Sequence, residues 1–311
     1  MNLHFRFRRR WLPLAVFAAL LPAGPAAATC TLTSITTVPL TIAGPRLYVP
    51  VSMNETPGLF MLDTGSETTI LTSAFAVQAH VGLDKHAGLI SLEGIGGRST
   101  LPVNQAHARR IDVGKIAFND WEFAVVPPEA GGLGKTDHEG ILGMDFLHYF
   151  DIDMDLETGT LTLWRLAECK DIHPEWKGDY DAIPLKHTAS HSVTLPIFID
   201  NAFLDVEFDT GSPGAWLTHE AAFKAGATDA MLEKDAEAGA GGIGGHVPAV
   251  RHRFQLLLVG SGQFPNPMIA VERETSRREY ADGLVGWRFL NARKIWISYA
   301  TDTLFVQPHG K

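Results

Sequence analysis

Asp-Thr-Gly-Ser is written twice in this chain of 311 residues, once in FMLDTGSETTIL from Phe60 to Leu71 and once in VEFDTGSPGAWL from Val206 to Leu217. At average residue usage such a tetrapeptide arises roughly once in 10⁵ positions. Asp63 and Asp209 lie 146 residues apart, and other segments keep nearly that offset in the same order. VPL at Val38 and IPL at Ile183 differ by 145, GIGG at Gly94 and at Gly242 by 148, and GILG at Gly140 and GLVG at Gly283 by 143. One structural unit is encoded twice, and the length suits two lobes with separate cores.

Within each unit the apolar pattern has the period of strands. RLYVPVSM, TTILT, SVTLPIFI and RFQLLLV are short β-rich runs separated by Gly, Pro, Asn and Asp. Helical signal is confined to Ser73 to Val81 and His219 to Ala225. Asp151 to Trp164 reads as a hairpin turning at Glu157 to Gly159, and Trp296 to Val306 as its counterpart. LAECKDIHPEWKGDYDA, Leu166 to Ala182, breaks the pattern with charges and a proline and reads as a linker. The expected organisation is an N-terminal lobe over 29–165, a linker over 166–182 and a C-terminal lobe over 183–311.

Residues 1–28 read as an export signal, with Arg6, Arg8, Arg9 and Arg10 ahead of an apolar stretch, Trp11 to Leu21, that is too short to span a bilayer. Small residues follow, and cleavage is expected after Ala28. The expected location is the periplasm or the outside of the cell, with no membrane association once the signal is cut. The formal charge of −9 becomes −13 without those four arginines, which disfavours nucleic acid as a partner. The remaining cysteines are Cys30 and Cys169. In an oxidising compartment a disulfide is the expected state of such a pair, with two free thiols as the alternative. Closing so long a loop would stabilise by about 4 to 5 kcal/mol in the chain-entropy account.

The duplicated tetrapeptide carries the chemistry. One copy alone could be a turn. If two copies meet about a pseudo-twofold axis, the carboxyls of Asp63 and Asp209 face each other, and at about 3 Å in an effective dielectric near 20 two full charges repel by roughly 5 kcal/mol. One proton is then shared over a wide pH range. The ionised carboxylate can take a proton from a water held between the two, while the protonated partner donates to an amide carbonyl, which hydrolyses a peptide without a covalent adduct. Gly65 and Gly211 allow backbone N–H groups to approach the carboxylates. Thr64 and Thr210 are expected to hydrogen-bond across the axis, and Ser66 and Ser212 to donate to the outer carboxylate oxygens.

These motifs make the chain resemble the aspartic peptidases of the pepsin and retropepsin superfamily. Both DTGS copies match that family's catalytic loop, and GILG and GLVG resemble the segment packed beneath it. The resemblance implies an all-β, bilobal acid-protease fold: two related β-barrel-like lobes about a pseudo-twofold axis with a cleft between them. It also implies Asp63 and Asp209 as the dyad and a peptide bound extended as an added strand. Gly94, Ile95, Gly96 and Gly97, with Gly242, Ile243, Gly244 and Gly245, resemble the flap tips of retroviral peptidases. Pepsin-type enzymes carry one flap with a tyrosine, which neither copy has nearby, so the closer likeness is to a retropepsin dimer fused into one chain. Duplication removes the need to dimerise, and a monomer is expected.

Other patterns point elsewhere only formally. GAGGIG, Gly239 to Gly244, fits a dinucleotide fingerprint, but it follows the helix-like MLEKDAEA and aligns with the first GIGG. AGGLGKT, Ala130 to Thr136, has Glu129 where a phosphate loop needs its first glycine. His187 and His191 have helical metal-ligand spacing but fall where the repeat puts a strand turn. No cofactor and no metal are expected. The reading is an exported aspartic endopeptidase acting on peptide or protein substrates; a peptide-binding protein that keeps the cleft without turnover is the alternative.

Overall fold

The computed structural model describes residues 32–83, 89–93, 100–127, 138–165, 172–242, 245–273 and 281–309. Apolar alternation produces strands as expected, and each half is built from the same hairpins. Arg46–Met53 and Thr56–Leu62 are joined through Asn54 and Glu55, both at positive φ (47° and 71°) as a tight two-residue hairpin requires. In the second half Val193–Ile199 and Ala202–Asp209 turn through Asp200, the counterpart of Asn54, at φ 48°.

Each half wraps its sheet around a core. In the first, Thr100–Val113 runs past its hairpin partner Ile116–Val126 and returns to pair with Arg46–Met53, Met53 opposite Ile111, which closes a barrel. In the second half Ile199 opposes Leu257, the same pairing 146 residues on, but the strand is broken between Arg253 and Leu256. The core is continuous through both halves and includes Leu47, Phe60, Phe123, Phe208, Val250 and Ile297, each nearly or wholly removed from water. Each buried side chain of this size contributes about 1.5 to 3 kcal/mol.

Helices form where expected, over Ser73–Gln78 and His219–Lys224, each shorter than the apolar run suggests. Thr72 and Thr218 cap them by accepting from the amides of Phe75 and Ala221. The run MLEKDAEA does not stay helical: its helix, Asp229–Leu232, stops early, and Ala236–Gly242 is a strand paired along its whole length with Gly245–Arg251. A full antiparallel ladder outweighs the modest helix preference of Ala, Glu and Lys there.

Three strands from each half share one six-stranded sheet, in the order Ser34–Pro39, Thr160–Arg165, Phe150–Asp155, Ala292–Ser298, Thr303–Pro308, Asp181–Pro184. Both predicted hairpins are in it. At its centre Ile152 opposes Ile297, Asp153 opposes Trp296 and Met154 opposes Ile295. The two segments are related by the offset of 143, so Asp153 faces its own counterpart, and the pseudo-twofold axis passes between them. Of the expected linker, residues 166–171 and Cys169 lie outside the described residues, as does Cys30. Ile172, Trp176 and Tyr180 pack on Trp296 and Phe305, and the strand that follows begins at Asp181, just inside the predicted linker.

Asp151 bolts the seam. It is fully buried, and it accepts from the Ser298 hydroxyl at 2.9 Å and from the amides of Tyr299 and Ala300 at 2.7 and 3.2 Å, all in the opposite half. Burial pushes its carboxyl above the ordinary range against those three donors. Asp151→Ala is expected to cost about 2 to 4 kcal/mol, because it strands buried donors on the other half; equilibrium denaturant unfolding measures it.

Candidate active site

The two Asp-Thr-Gly-Ser loops meet at the axis. Each follows a strand, Thr56–Leu62 or Ala202–Asp209, whose parallel neighbour is a GxxG segment: Gly140–Leu142 beside the first, Gly283–Gly286 beside the second. Gly143 and Gly286 are glycine of necessity, since a β-carbon on Gly143 would meet the Thr68 carbonyl about 2.5 Å away and one on Gly286 would overlap the Ser212 carbonyl.

Crossed bonds lock the loops. The Thr64 hydroxyl donates to the Phe208 carbonyl at 2.7 Å and accepts from the Thr210 amide at 3.1 Å. The Thr210 hydroxyl donates to the Leu62 carbonyl at 2.8 Å and accepts from the Thr64 amide at 3.0 Å. Both threonines are wholly buried. This fixes the two aspartates in contact. A β-carbon on Gly65 would lie 2.6 Å from the Asp209 carboxyl carbon, and one on Gly211 would overlap the Asp63 carboxyl, so each carboxyl lies over the glycine of the other loop.

The electrostatics follow from that approach. Burial, then the Asp209 charge and a hydrogen bond with Asp209, hold the Asp63 carboxyl well above the ordinary carboxylate range, and Glu207, itself buried, adds to the effect. Asp63 accepts one backbone donor, the Gly65 amide at 2.9 Å. Asp209 accepts two, from Gly211 at 2.8 Å and Ser212 at 3.0 Å. The pair therefore favours one proton between them, with the negative charge better supported on Asp209.

Ser66 and Ser212 lie in the loops but do different work from that expected. Their hydroxyls donate to backbone carbonyls, of Thr68 at 2.8 Å and Gly214 at 3.4 Å, so they tighten the turn after the dyad instead of bonding to the carboxylates. Two carboxylates that sequence reasoning passed over pin the strands leading into the loops: Glu139 accepts from the Leu59 amide at 2.6 Å and Asp282 from the Asp205 amide at 3.1 Å. Their signal is an acid directly before each GxxG, in HEGILG and ADGLVG. Asp145, which accepts from the Thr69 hydroxyl at 2.7 Å and the Phe146 amide at 2.9 Å, has no such counterpart, because Arg288 stands at the matching position.

Gly94, Ile95, Gly96 and Gly97 lie outside the described residues, as do Ile243 and Gly244. The strand Leu89–Glu93 pairs with Thr100–Val113, Glu93 opposite Thr100, and Gly242 opposes Gly245. The glycines at 239, 241 and 242 lie in a strand, which removes the strand-to-helix turn that a dinucleotide fingerprint needs. Residues 130–136 are outside the described residues. His187 bonds to Asp302, and the His191 ring stacks on His148 at 4.1 Å. Among the described residues no cluster of three or more His, Cys, Asp or Glu side chains is arranged to hold a metal ion.

Residues 49–146, which hold the first Asp-Thr-Gly-Ser loop and its GILG segment, match the family model described as aspartyl protease. That stretch resembles an aspartyl protease domain. The second half repeats the same strand arrangement about the axis, giving an all-β molecule of two related halves. Among solved structures, the aspartic proteinase from Irpex lacteus is similar over 88% of this chain and 97% of its own, with 12% identity and a TM-score of 0.49. No curated protein matches the sequence.

Two outcomes are expected of this paired-aspartate site. Thr64→Val, which keeps shape and removes the hydroxyl, should destabilise by about 2 to 3 kcal/mol by orphaning the Thr210 amide and Phe208 carbonyl; thermal and denaturant unfolding measure it. Asp63 has a raised folded pKa, so its contribution to stability is fully present below the unfolded value near 3.9 and is lost as pH rises through the folded value. Asp63→Asn should therefore gain stability relative to the native chain as the pH of the unfolding experiment goes from about 3.5 to 7.

Proposed function

We propose that this chain is an exported aspartic endopeptidase that hydrolyses peptide bonds with a water held between Asp63 and Asp209. The observation that carries the reading is the contact of the two carboxyls over each other's glycines, with one carboxyl held well above its ordinary pKa. Two carboxyls forced together in a buried site are costly, and their use is a base and an acid at one point.

In this reading Asp209, supported by two backbone amides, is the carboxylate that takes a proton from the water. Asp63 carries the shared proton and donates it to the amide carbonyl oxygen. Water's oxygen bonds to the carbonyl carbon, giving a tetrahedral diol; the proton collected by Asp209 then passes to the leaving nitrogen while one diol hydroxyl returns its proton to Asp63, so the product carbonyl forms as the C–N bond breaks. Gly242 and Gly245 belong to a hairpin suited to covering an extended peptide, whose backbone would pair with the strand edges. Export through residues 1–28, a Cys30 to Cys169 disulfide and action as a monomer complete the proposal.

Peptide-library hydrolysis followed by mass spectrometry tests it. The native chain should cut, and Asp63→Asn and Asp209→Asn should each lower kcat at least about 10³-fold while unfolding cooperatively, since either change removes one half of the acid–base pair. Unchanged cleavage by either variant would sink the mechanism; binding without any cleavage by the native chain would leave a peptide receptor.

A further inference from the structure

Directly paired residues in a sheet carry their side chains on the same face, and one such row crosses each half beside the dyad. In the first half it is Tyr48, Met61, Ile141, Ile70 and Ala124, each opposite the next. In the second it is Thr194, Glu207, Leu284, Trp216 and Ala270. These are the same five positions, related by 146 residues, or by 143 for Ile141 and Leu284. Met61 and Glu207 each stand two residues before their aspartate, between side chains of the main core: Phe60 and Leu62 in one half, Val206 and Phe208 in the other. Alternation therefore turns both away from the core and puts Glu207 on the face that bears Asp209.

The two rows differ in chemistry. All five positions of the first belong to a separate apolar cluster that also holds Val103 and Val126. In the second half Glu207 replaces Met61, and Glu272 stands at the position of Val126; both acids are buried. The end of the row is smaller as well. The Tyr48 ring lies 5.5 Å from that of His138, whereas the matching residues are Thr194 and Ala281. Lys186, opposite Thr194 in the sheet, is held by Asp205 at 2.6 Å. Glu207 acts across the axis, since its charge helps to raise the Asp63 carboxyl in the other half.

We propose that Glu207 selects a lysine or arginine in the substrate, so that the bond cut lies between one cationic residue, held over the second half, and one apolar residue, held over Met61 and its cluster. The proposal rests on the peptidase reading above. An extended peptide crossing the axis at the dyad lays the two residues that flank the cut bond over opposite halves. The apolar face suits an apolar side chain. The other face holds a buried carboxylate beside two further acids, an arrangement that a cation relieves, and Thr194 and Ala281 leave length for a long side chain to bring its charge there. Glu207 is 4% exposed and Asp209, which the substrate must reach, 8%, so the selecting acid is enclosed to much the same degree as the dyad.

The probes are short peptides with leucine then lysine at the centre, the reverse order, and both again with norleucine for lysine, which removes only the ammonium group. With the full native chain, kcat/KM should favour lysine over norleucine at least about tenfold in one of the two orders. Glu207→Gln should lower that ratio at least about tenfold, and Glu207→Met should bring it below one. The ratio is taken within one protein, so loss of folded material cancels. Were Glu207 only tuning Asp63, its variants would move the pH profile for both peptides and leave the ratio fixed. That result overturns the proposal, as does a native ratio near one, the outcome if a cation of the chain itself already satisfies Glu207. Failure to cut any peptide sinks the peptidase reading instead, and calorimetric binding then decides: lysine peptides held at least about tenfold more tightly uphold the selection, and equal binding or none overturns it.

Discussion

Everything in this molecule is arranged around two carboxyl groups that repel when both are charged. Left to themselves the halves would separate at that point. They are held by forces that carry little charge: the crossed threonine bonds directly beneath the dyad, and further down a six-stranded sheet to which both halves contribute. The bond lengths at the threonines, between 2.7 and 3.1 Å, leave no slack for the carboxyls to drift apart. Strain at the site is balanced by order in the seam, and the resulting perturbed proton affinity is a property of the two halves jointly.

Much of this was legible in the primary structure because the duplication supplies its own control. A lone Asp-Thr-Gly-Ser could be any turn, whereas a second copy at 146 residues, with GxxG segments at 143, predicts which strands lie side by side. The β-rich runs and both short helices after the loops were readable from local pattern. What escaped was set by three-dimensional competition. The helix-like MLEKDAEA became half strand because Gly245–Arg251 offered a ladder, and Ser66 and Ser212 found nearby carbonyls before the carboxylates. Glu139 and Asp282 were visible as letters but gained meaning only when their distant backbone partners were placed.

The two halves are copies in frame and not in detail. Support for the loop comes from Asp145 in one half, with Arg288 at the matching place in the other, and the negative charge is better held by Asp209 than by Asp63. The two acids of the site therefore sit in unlike surroundings. That difference is available to a single chain, whose two loops can be edited separately.

The pairing of Asp153 with Trp296 shows how far that independence has gone. Whatever lies on a true twofold must confront its own copy, so two first halves docked in this way would set aspartate against aspartate. Burial is the main cause that pushes Asp153 up to about 6, against Trp164 and Lys294; a second acid opposite would raise the penalty further. The seam thus favours unlike partners: a first half freed from the second would meet its own copy acid against acid.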